Sequence, residues 1–173
     1  MKTFQDLQEG VYDPNILKAF FLAGGPGSGK SYVVKRGTGG LGLKIVNSDD
    51  TFEKYIKDAG LSMKMPKSQE EPRDKLRDRA KAITKMKLDN YVAGRLGLII
   101  DGTGKEYDKI AKQATGLKQL GYDVHMIFVN TSLETALKRN AARDRTVPRS
   151  IATKSWKTVQ SNMGKFSQYF RQN

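Results

Sequence analysis

Apolar residues along this chain follow two alternating rhythms. Short continuous apolar runs, the mark of strands buried on both faces, occur at Lys18–Ala23 (Lys-Ala-Phe-Phe-Leu-Ala), Leu43–Val46, Leu96–Ile100 and Tyr122–Val129. Between them apolar positions recur at three- and four-residue steps, as they do on a helix with one buried stripe. One helix is predicted to begin within Gly29–Ser31 and to end by Gly37–Gly42, and a second to span Asp50–Ala59, stopped by Gly60. Pro72 suits the first turn of a long helix running to about Ala93, with Leu76, Ala80 and Ile83 as its apolar face and Gly94 at its end. Thr103 and Glu106 have the spacing of a capping box, opening a helix to about Leu120 striped by Ile110, Ala114 and Leu117. Thr131 and Glu134 repeat that spacing before a helix through Asn140 or a little beyond. The last helix, about Ile151–Phe170, carries Trp156, Val159, Met163, Phe166 and Phe170 as the stripe that docks on the core.

Strands alternating with helices predict an α/β fold: a mostly parallel sheet of about four to five strands with helices on both faces, in three layers. The chain is expected to be one domain over residues 1–173, with an N-terminal extension (1–17), a lid (139–149) and a C-terminal helix (151–171). Leu61–Glu70 lacks a clear period, contains Pro66 and is expected to be a loop or flap.

Composition narrows the chemistry. A chain of 173 residues buries enough surface to need no disulfide staples, and there is no cysteine for thiol catalysis or a cysteine zinc site. The single histidine, His125, falls within a strand and cannot form a histidine metal cluster alone. The apolar run Ala19–Ala23 is too short to span a bilayer, and Met1–Gly10 lacks the charged-then-apolar order of a secretion signal. A cytoplasmic setting without a membrane partner is therefore expected. The net charge of +13 favours polyanionic partners, with nucleic acid leading and phosphorylated small molecules next. Lysine and arginine are spread over 64–67, 73–87, 105–118 and 138–157, so no single basic face is legible.

The sharpest motif is Gly24-Gly25-Pro26-Gly27-Ser28-Gly29-Lys30-Ser31, which matches G-x-x-x-x-G-K-[ST]. Its glycines let the backbone fold tightly, with N–H groups turned inward at phosphate oxygens, and the following helix adds its positive end. Lys30 is then placed to reach the β- and γ-phosphates of ATP, and Ser31 to offer its hydroxyl to Mg²⁺. A strand before the loop and a helix after it supply the context that the motif requires. This makes the expected fold that of a P-loop NTPase.

Three further elements suit phosphoryl transfer. Asp101 ends the apolar strand Leu98-Ile99-Ile100-Asp101, where a carboxylate binds Mg²⁺ or orients the attacking group; the alternative is a cap on the turn that follows. Asn47-Ser48-Asp49-Asp50 follows the second strand, at the carboxyl edge where parallel sheets form their ligand cleft. Asp49 is the candidate base for a substrate hydroxyl, with Asp50 capping the next helix; the reverse assignment and a purely structural pair stay open. Arg139, Arg143 and Arg145 lie in a stretch ending at Pro148, and arginines on a closing lid stabilise charge on the transferring phosphoryl group.

Together these elements resemble the kinase domain of phage polynucleotide 5′-hydroxyl kinases and the related zeta-toxin kinases. The resemblance runs from the P-loop through Asn-x-Asp-Asp and strand-Asp-x-Thr to Lys138-Arg139-Asn140-Ala141-Ala142-Arg143 and Val147-Pro148, about residues 18–170. It implies an ATP- and Mg²⁺-dependent kinase, phage-encoded and acting in the host cytoplasm. In it Asp49 aligns with the general base, Asp101 with the second active-site aspartate, and Arg139 and Arg143 with lid arginines on the ATP phosphates. Phe52 stands where polynucleotide kinases carry an arginine for the substrate phosphate, and Lys54, Arg73, Arg77 or Arg79 are the candidates to replace it. The acceptor classes left by the sequence are a hydroxyl on nucleic acid or a nucleotide-like molecule, or a nucleotide sugar such as UDP-N-acetylglucosamine. An ATPase switch without an acceptor is the reading from another class.

Overall fold

The computed structural model describes residues 13, 15–37, 41–64 and 66–171, so the expected N-terminal extension lies largely outside the described residues. Four strands, β1 (Lys18–Ala23), β2 (Lys44–Val46), β3 (Leu98–Asp101) and β4 (Asp123–Phe128), form one sheet in the order β2-β3-β1-β4. Every pairing is parallel. β1 is central, with Phe21 opposite Ile100 on one side and Met126 on the other. Because all strands run the same way, the chain leaves β1, β2 and β3 at one edge of the sheet. That edge gathers the glycine-rich loop, Asn47–Asp49 and Asp101.

The period-two alternation of strand side chains divides the core into two layers. Ala19, Phe21, Leu98, Ile100 and Val124 pack on one face with Ala114 and Leu117 of α4 (Tyr107–Gln119). Leu88 and Tyr91 of α3 (Glu70–Ala93) and Tyr169 and Phe170 of α6 (Arg149–Arg171) complete that layer. Leu22 and Ile99 face the other way and meet Val34 of α1 (Lys30–Gly37). Helices thus cover both faces, as the alternating pattern predicts. A satellite cluster of Phe52, Ile56 and Ala80 joins α2 (Asp49–Asp58) to α3. Phe52 and Ile56 are 1% and 0% exposed, and burying each side chain contributes roughly 1.5–3 kcal/mol.

Several local expectations shift. The strands are shorter than predicted at Leu43, Leu96, Gly97, Tyr122 and Val129; Leu96 instead makes an isolated antiparallel bridge to Ile16. The segment expected as a flap contains a 3-10 turn, Lys67–Gln69. Asp50 does not cap α2. The cap position is Ser48, and the Asp49 N–H donates to Asn47 Oδ1 at 2.7 Å.

The Thr103–Glu106 capping box does not form. Glu106 itself occupies the N-cap position of α4, and its carboxylate lies 3.3 Å from the Lys109 ammonium. The residues before it are held elsewhere: the Thr103 carbonyl accepts from Gly24 N–H, and Asn162 Nδ2 donates to the carbonyls of Gly104 and Lys105. The second box is displaced by one residue. Ser132 caps α5 (Leu133–Ala141) by accepting from Thr135 N–H, and the Thr131 carbonyl before it accepts from Trp156 Nε1. The buried stripe of α6 runs through Ala152, Ser155, Val159, Asn162 and Phe166, leaving Trp156 half-buried and Met163 exposed. Asn162 is in that stripe because its amide ties down the loop ahead of α4.

Candidate functional site

At the carboxyl edge of the sheet a cavity of about 370 Å³ opens. Gly25 through Ser31 line it, together with Asp49, Arg139 and Arg143. Gly24 and Asp101 are not part of the lining; the Gly24 N–H is bonded to the Thr103 carbonyl, and Asp101 is near enough to Lys30 to act on its charge. The sequence-predicted residues are thus brought together from five elements. Arg139 sits on α5 rather than in a free lid, and its Nη1 approaches the Ser28 carbonyl at 3.4 Å.

The loop's shape depends on glycine at Gly27, where φ is +79° and a Cβ would collide with the Ala136 carbonyl of α5. Gly29 also has a positive φ, +102°. These conformations, unfavourable for other residues, turn the loop around the space at the N-terminus of α1. Lys30 Nζ donates to the Gly24 carbonyl at 2.6 Å, which folds the lysine back along the loop. Burial lowers the Lys30 pKa; Asp101 and Asp49 oppose that shift and Arg143 adds to it. A polyphosphate anion beside the ammonium would compensate the lost hydration.

Asp101 is the counterpart of this lysine. Burial raises its pKa, opposed first by the positive charge of Lys30. Its Oδ2 accepts from Asn47 Nδ2 at 3.0 Å, while Oδ1 is buried with no hydrogen-bond partner among the described residues. An unpaired carboxylate oxygen next to the phosphate loop fits a hard cation. No cluster of three or more acidic or histidine side chains that could hold a metal exists among the described residues. Such a donor set suits Mg²⁺, which takes one or two protein ligands and completes its shell with water and phosphate oxygens. Ser31 and Asp101 are the residues able to supply them.

Asp49 faces the cavity from the start of α2. Its two oxygens meet different arginines: Oδ1 lies 3.3 Å from Arg77 Nη1, and Oδ2 lies 3.2 Å from Arg145 Nη2. Arg145 also bonds Glu53 through Nε at 2.7 Å. Arg143 and Arg145 are carried by the turn after α5, which Asn140 closes. Asn140 Nδ2 donates to the Val147 carbonyl at 2.7 Å, and Val147 N–H donates to Asn140 Oδ1 at 3.1 Å.

Arg77, Arg145, Val147 and Ile151 also line the cavity, as do Thr103, Lys105 and Ser155, which were not legible as site residues, since one lies in a failed capping box and another in a helix stripe. Nor was the role of Asn140, although it stands inside the Lys-Arg-Asn-x-x-Arg segment. Arg77 was only one of several basic candidates on α3, because the way α2 and α3 pack selects it.

Among the described residues, no helix is long and apolar enough to cross a membrane. No curated protein matches the chain. Solved structures share its fold. A chain of the AvrRxo1-ORF1:AvrRxo1-ORF2 complex with sulphate ions aligns with a TM-score of 0.71 and 15% identity over 88% of this chain and 50% of that one. A chain of the Pnkp1/Rnl/Hen1 RNA repair complex aligns at 0.67 and 19% identity, over 95% of this chain and 49% of that one. A chain of the PezAT toxin-antitoxin system of Streptococcus pneumoniae aligns at 0.66 and 19%, over 87% and 64% respectively. The present chain therefore spans about half to two thirds of the length of these proteins. The family model described as zeta toxin matches residues 5–173, nearly the whole sequence, and on that match the chain belongs to the zeta toxin family.

Proposed function

We propose that this kinase transfers the γ-phosphate of ATP to a hydroxyl on a nucleic acid or nucleotide-like acceptor, with Asp49 as the base. The observation that carries the proposal is the placement of the Asp49 carboxylate on the same cavity as the phosphate loop, Lys30, Arg139 and Arg143. ATP as donor is supported by the phosphate loop, and an AvrRxo1 complex that shares this fold was solved with ATP (TM-score 0.66, 17% identity).

The backbone N–H groups of Gly27 and of Gly29–Ser31 cradle the phosphates, and Lys30 exchanges the Gly24 carbonyl for the β- and γ-oxygens. The Ser31 hydroxyl and the Asp101 carboxylate would hold Mg²⁺, which would supply positive charge against the phosphates. Asp49 accepts the proton of the acceptor hydroxyl. The resulting oxygen forms the new bond to the γ-phosphorus as the bond to the β-phosphate oxygen breaks, and ADP leaves. Arg139 and Arg143 neutralise the charge spread over the transferring oxygens. An arginine in this role contributes roughly 10³–10⁵ in rate.

The zeta toxin match over residues 5–173 favours a second acceptor, a nucleotide sugar such as UDP-N-acetylglucosamine. The net charge of +13 favours the polyanionic acceptor. The two separate when γ-labelled ATP is incubated with the protein and, in parallel, 5′-hydroxyl DNA, 5′-hydroxyl RNA and UDP-sugars. Label on the oligonucleotides supports the first reading. Label only on the sugars replaces it by the second, and ATP hydrolysis with no labelled acceptor rejects both in favour of an ATPase switch.

A further inference from the structure

Positive charge is spread along the sequence, but the two long helices carry it differently. On α3 exposed lysines are answered by acids on the neighbouring turn: Lys75 lies 2.8 Å from Glu71, and Lys81 lies 3.2 Å from Asp78. Residues three and four apart on a helix balance one another in this way. α6 carries five basic residues and no acidic one. Arg149, Lys154 and Lys157 are exposed on it and have no acidic partner among the described residues.

These three line an open groove with the hydroxyl residues Ser150, Thr153 and Thr158. Arg149, Thr153 and Lys157 form one row at four-residue steps, and Ser150, Lys154 and Thr158 the row beside it. Cations and hydroxyls therefore alternate along roughly 13 Å of helix. Both kinds of group donate to phosphate oxygens, and no carboxylate stands among them to repel an anion. The groove begins at the active cleft. Ile151 lines the cavity at the phosphate loop, and Lys154 follows it one turn later on the same side of the helix. The helix is also packed directly on that loop: a Cβ added at Gly25 would stand 3.5 Å from Trp156 Cα. A basic helix can instead lie on a membrane, but the apolar side of α6 is spent on the core, with Val159 and Phe166 each 1% exposed.

We infer that this face of α6 is a docking track for the backbone of a single-stranded nucleic-acid acceptor, holding the phosphates that follow the reacting end into the cleft. The inference rests on the kinase reading above and selects its nucleic-acid branch. A nucleotide sugar carries one diphosphate and no repeating charge for a row of cations to follow. The track reads backbone charge and not bases, so binding is insensitive to sequence and falls as salt rises.

The test compares a 5′-hydroxyl dinucleotide with a 5′-hydroxyl single strand of about 12 nucleotides, long enough to leave the cleft and cover the helix. The proteins are wild type, Lys154→Gln/Lys157→Gln and, as a control for overall charge, Lys85→Gln/Lys87→Gln, whose lysines are exposed on α3. Thermal unfolding confirms that each is folded. Strand affinity is read by fluorescence anisotropy over a salt series, and KM with γ-labelled ATP. For single strands log K falls by about 0.7 per neutralised phosphate for each tenfold rise in salt, so losing two cations should flatten the slope by about 1.4 and weaken strand binding about 25-fold at about 0.1 M salt. KM for the long strand should rise in step, while KM for the dinucleotide and both values in the α3 control stay within about threefold of wild type.

Wild type by itself should show a lower KM for the long strand than for the dinucleotide, a comparison that needs no variant to fold. Equal KM values there, unchanged strand binding in the α6 variant, or an equal loss in the α3 control would each overturn the inference and leave the kinase reading standing. So would wild type that binds polyglutamate but not the oligonucleotides, which assigns the face to an acidic protein, or that labels only UDP-sugars. Failure of wild type to label any acceptor overturns the kinase reading and this inference with it.

Discussion

Asn140 holds the turn that carries Arg143 and Arg145, so removing its side chain should uncouple lid order from the rest of the fold. The side chain is 5% exposed and spends both its donor and its acceptor on Val147, at 2.7 and 3.1 Å. Each hydrogen bond contributes about 0.5–1.5 kcal/mol net, so Asn140→Ala should cost about 1–3 kcal/mol. That loss lowers the ratio of closed to open turn by roughly 5- to 150-fold. Residues 141–144 are exposed, so little apolar packing compensates. Displacing a positioned group by about 1 Å can cost about 10² in rate, and kcat/KM should fall about 10- to 100-fold. The assay pairs kcat/KM with hydrogen exchange at the Val147 amide. Asn140→Asp, which can still accept from that amide but cannot donate to the carbonyl, should fall in between. An unchanged kcat/KM in Asn140→Ala despite faster Val147 exchange would refute the link between lid order and transfer. Unchanged exchange would refute the clamp.

Two other substitutions probe the site from below. Gly27→Ala places a methyl group against the Ala136 carbonyl at a backbone φ of +79°, so ATP binding should weaken at least about tenfold, read by isothermal calorimetry. Wild-type affinity would show that loop and α5 shift freely. Asp101→Asn removes a carboxylate whose pKa burial raises above its ordinary 3.8. Below pH 3.8 the carboxyl is protonated folded or unfolded, and it exerts no pH-dependent pull. As pH rises the unfolded chain loses the proton first, so the native state loses stability until its own raised pKa is passed. Asp101→Asn should therefore gain stability over wild type from pH 4 toward neutrality, by thermal unfolding without nucleotide, and show less stabilisation by ATP with Mg²⁺. A constant difference across that range would contradict the buried-charge account.

The parts of this molecule legible in its sequence are those governed by local chemistry. Lys18–Ala23 is a strand with the predicted bounds because a run of apolar residues has no polar face to show solvent. Gly24–Gly29 forms the predicted loop, and α1 starts at Lys30 within the predicted window, because the glycine spacing between a strand and a helix prescribes a tight turn. Asp49 and Asp101 reach the site because parallel strands end at one edge. What escaped depends on pairs distant in the chain. Thr103 and Glu106 satisfy a helix-start pattern, but Gly24 and Asn162 hold that loop's backbone instead. Asn162 and Ser155 interrupt an apolar stripe that Met163 appeared, by period alone, to continue. Arg77 stands 28 residues from Asp49, and only the packing of Phe52 against α3 aims it there.

Asp49 as the base is the claim on which transfer depends, and a quenched-flow experiment with γ-labelled ATP tests it most directly. Wild type and Asp49→Asn are mixed with the acceptor that the parallel labelling identifies, while ATP affinity is measured separately. The account expects phosphoryl transfer to fall by at least about 10²-fold in Asp49→Asn, at the lower end of what a positioned base supplies, with ATP affinity within about threefold of wild type. Transfer by Asp49→Asn at the wild-type rate would contradict it.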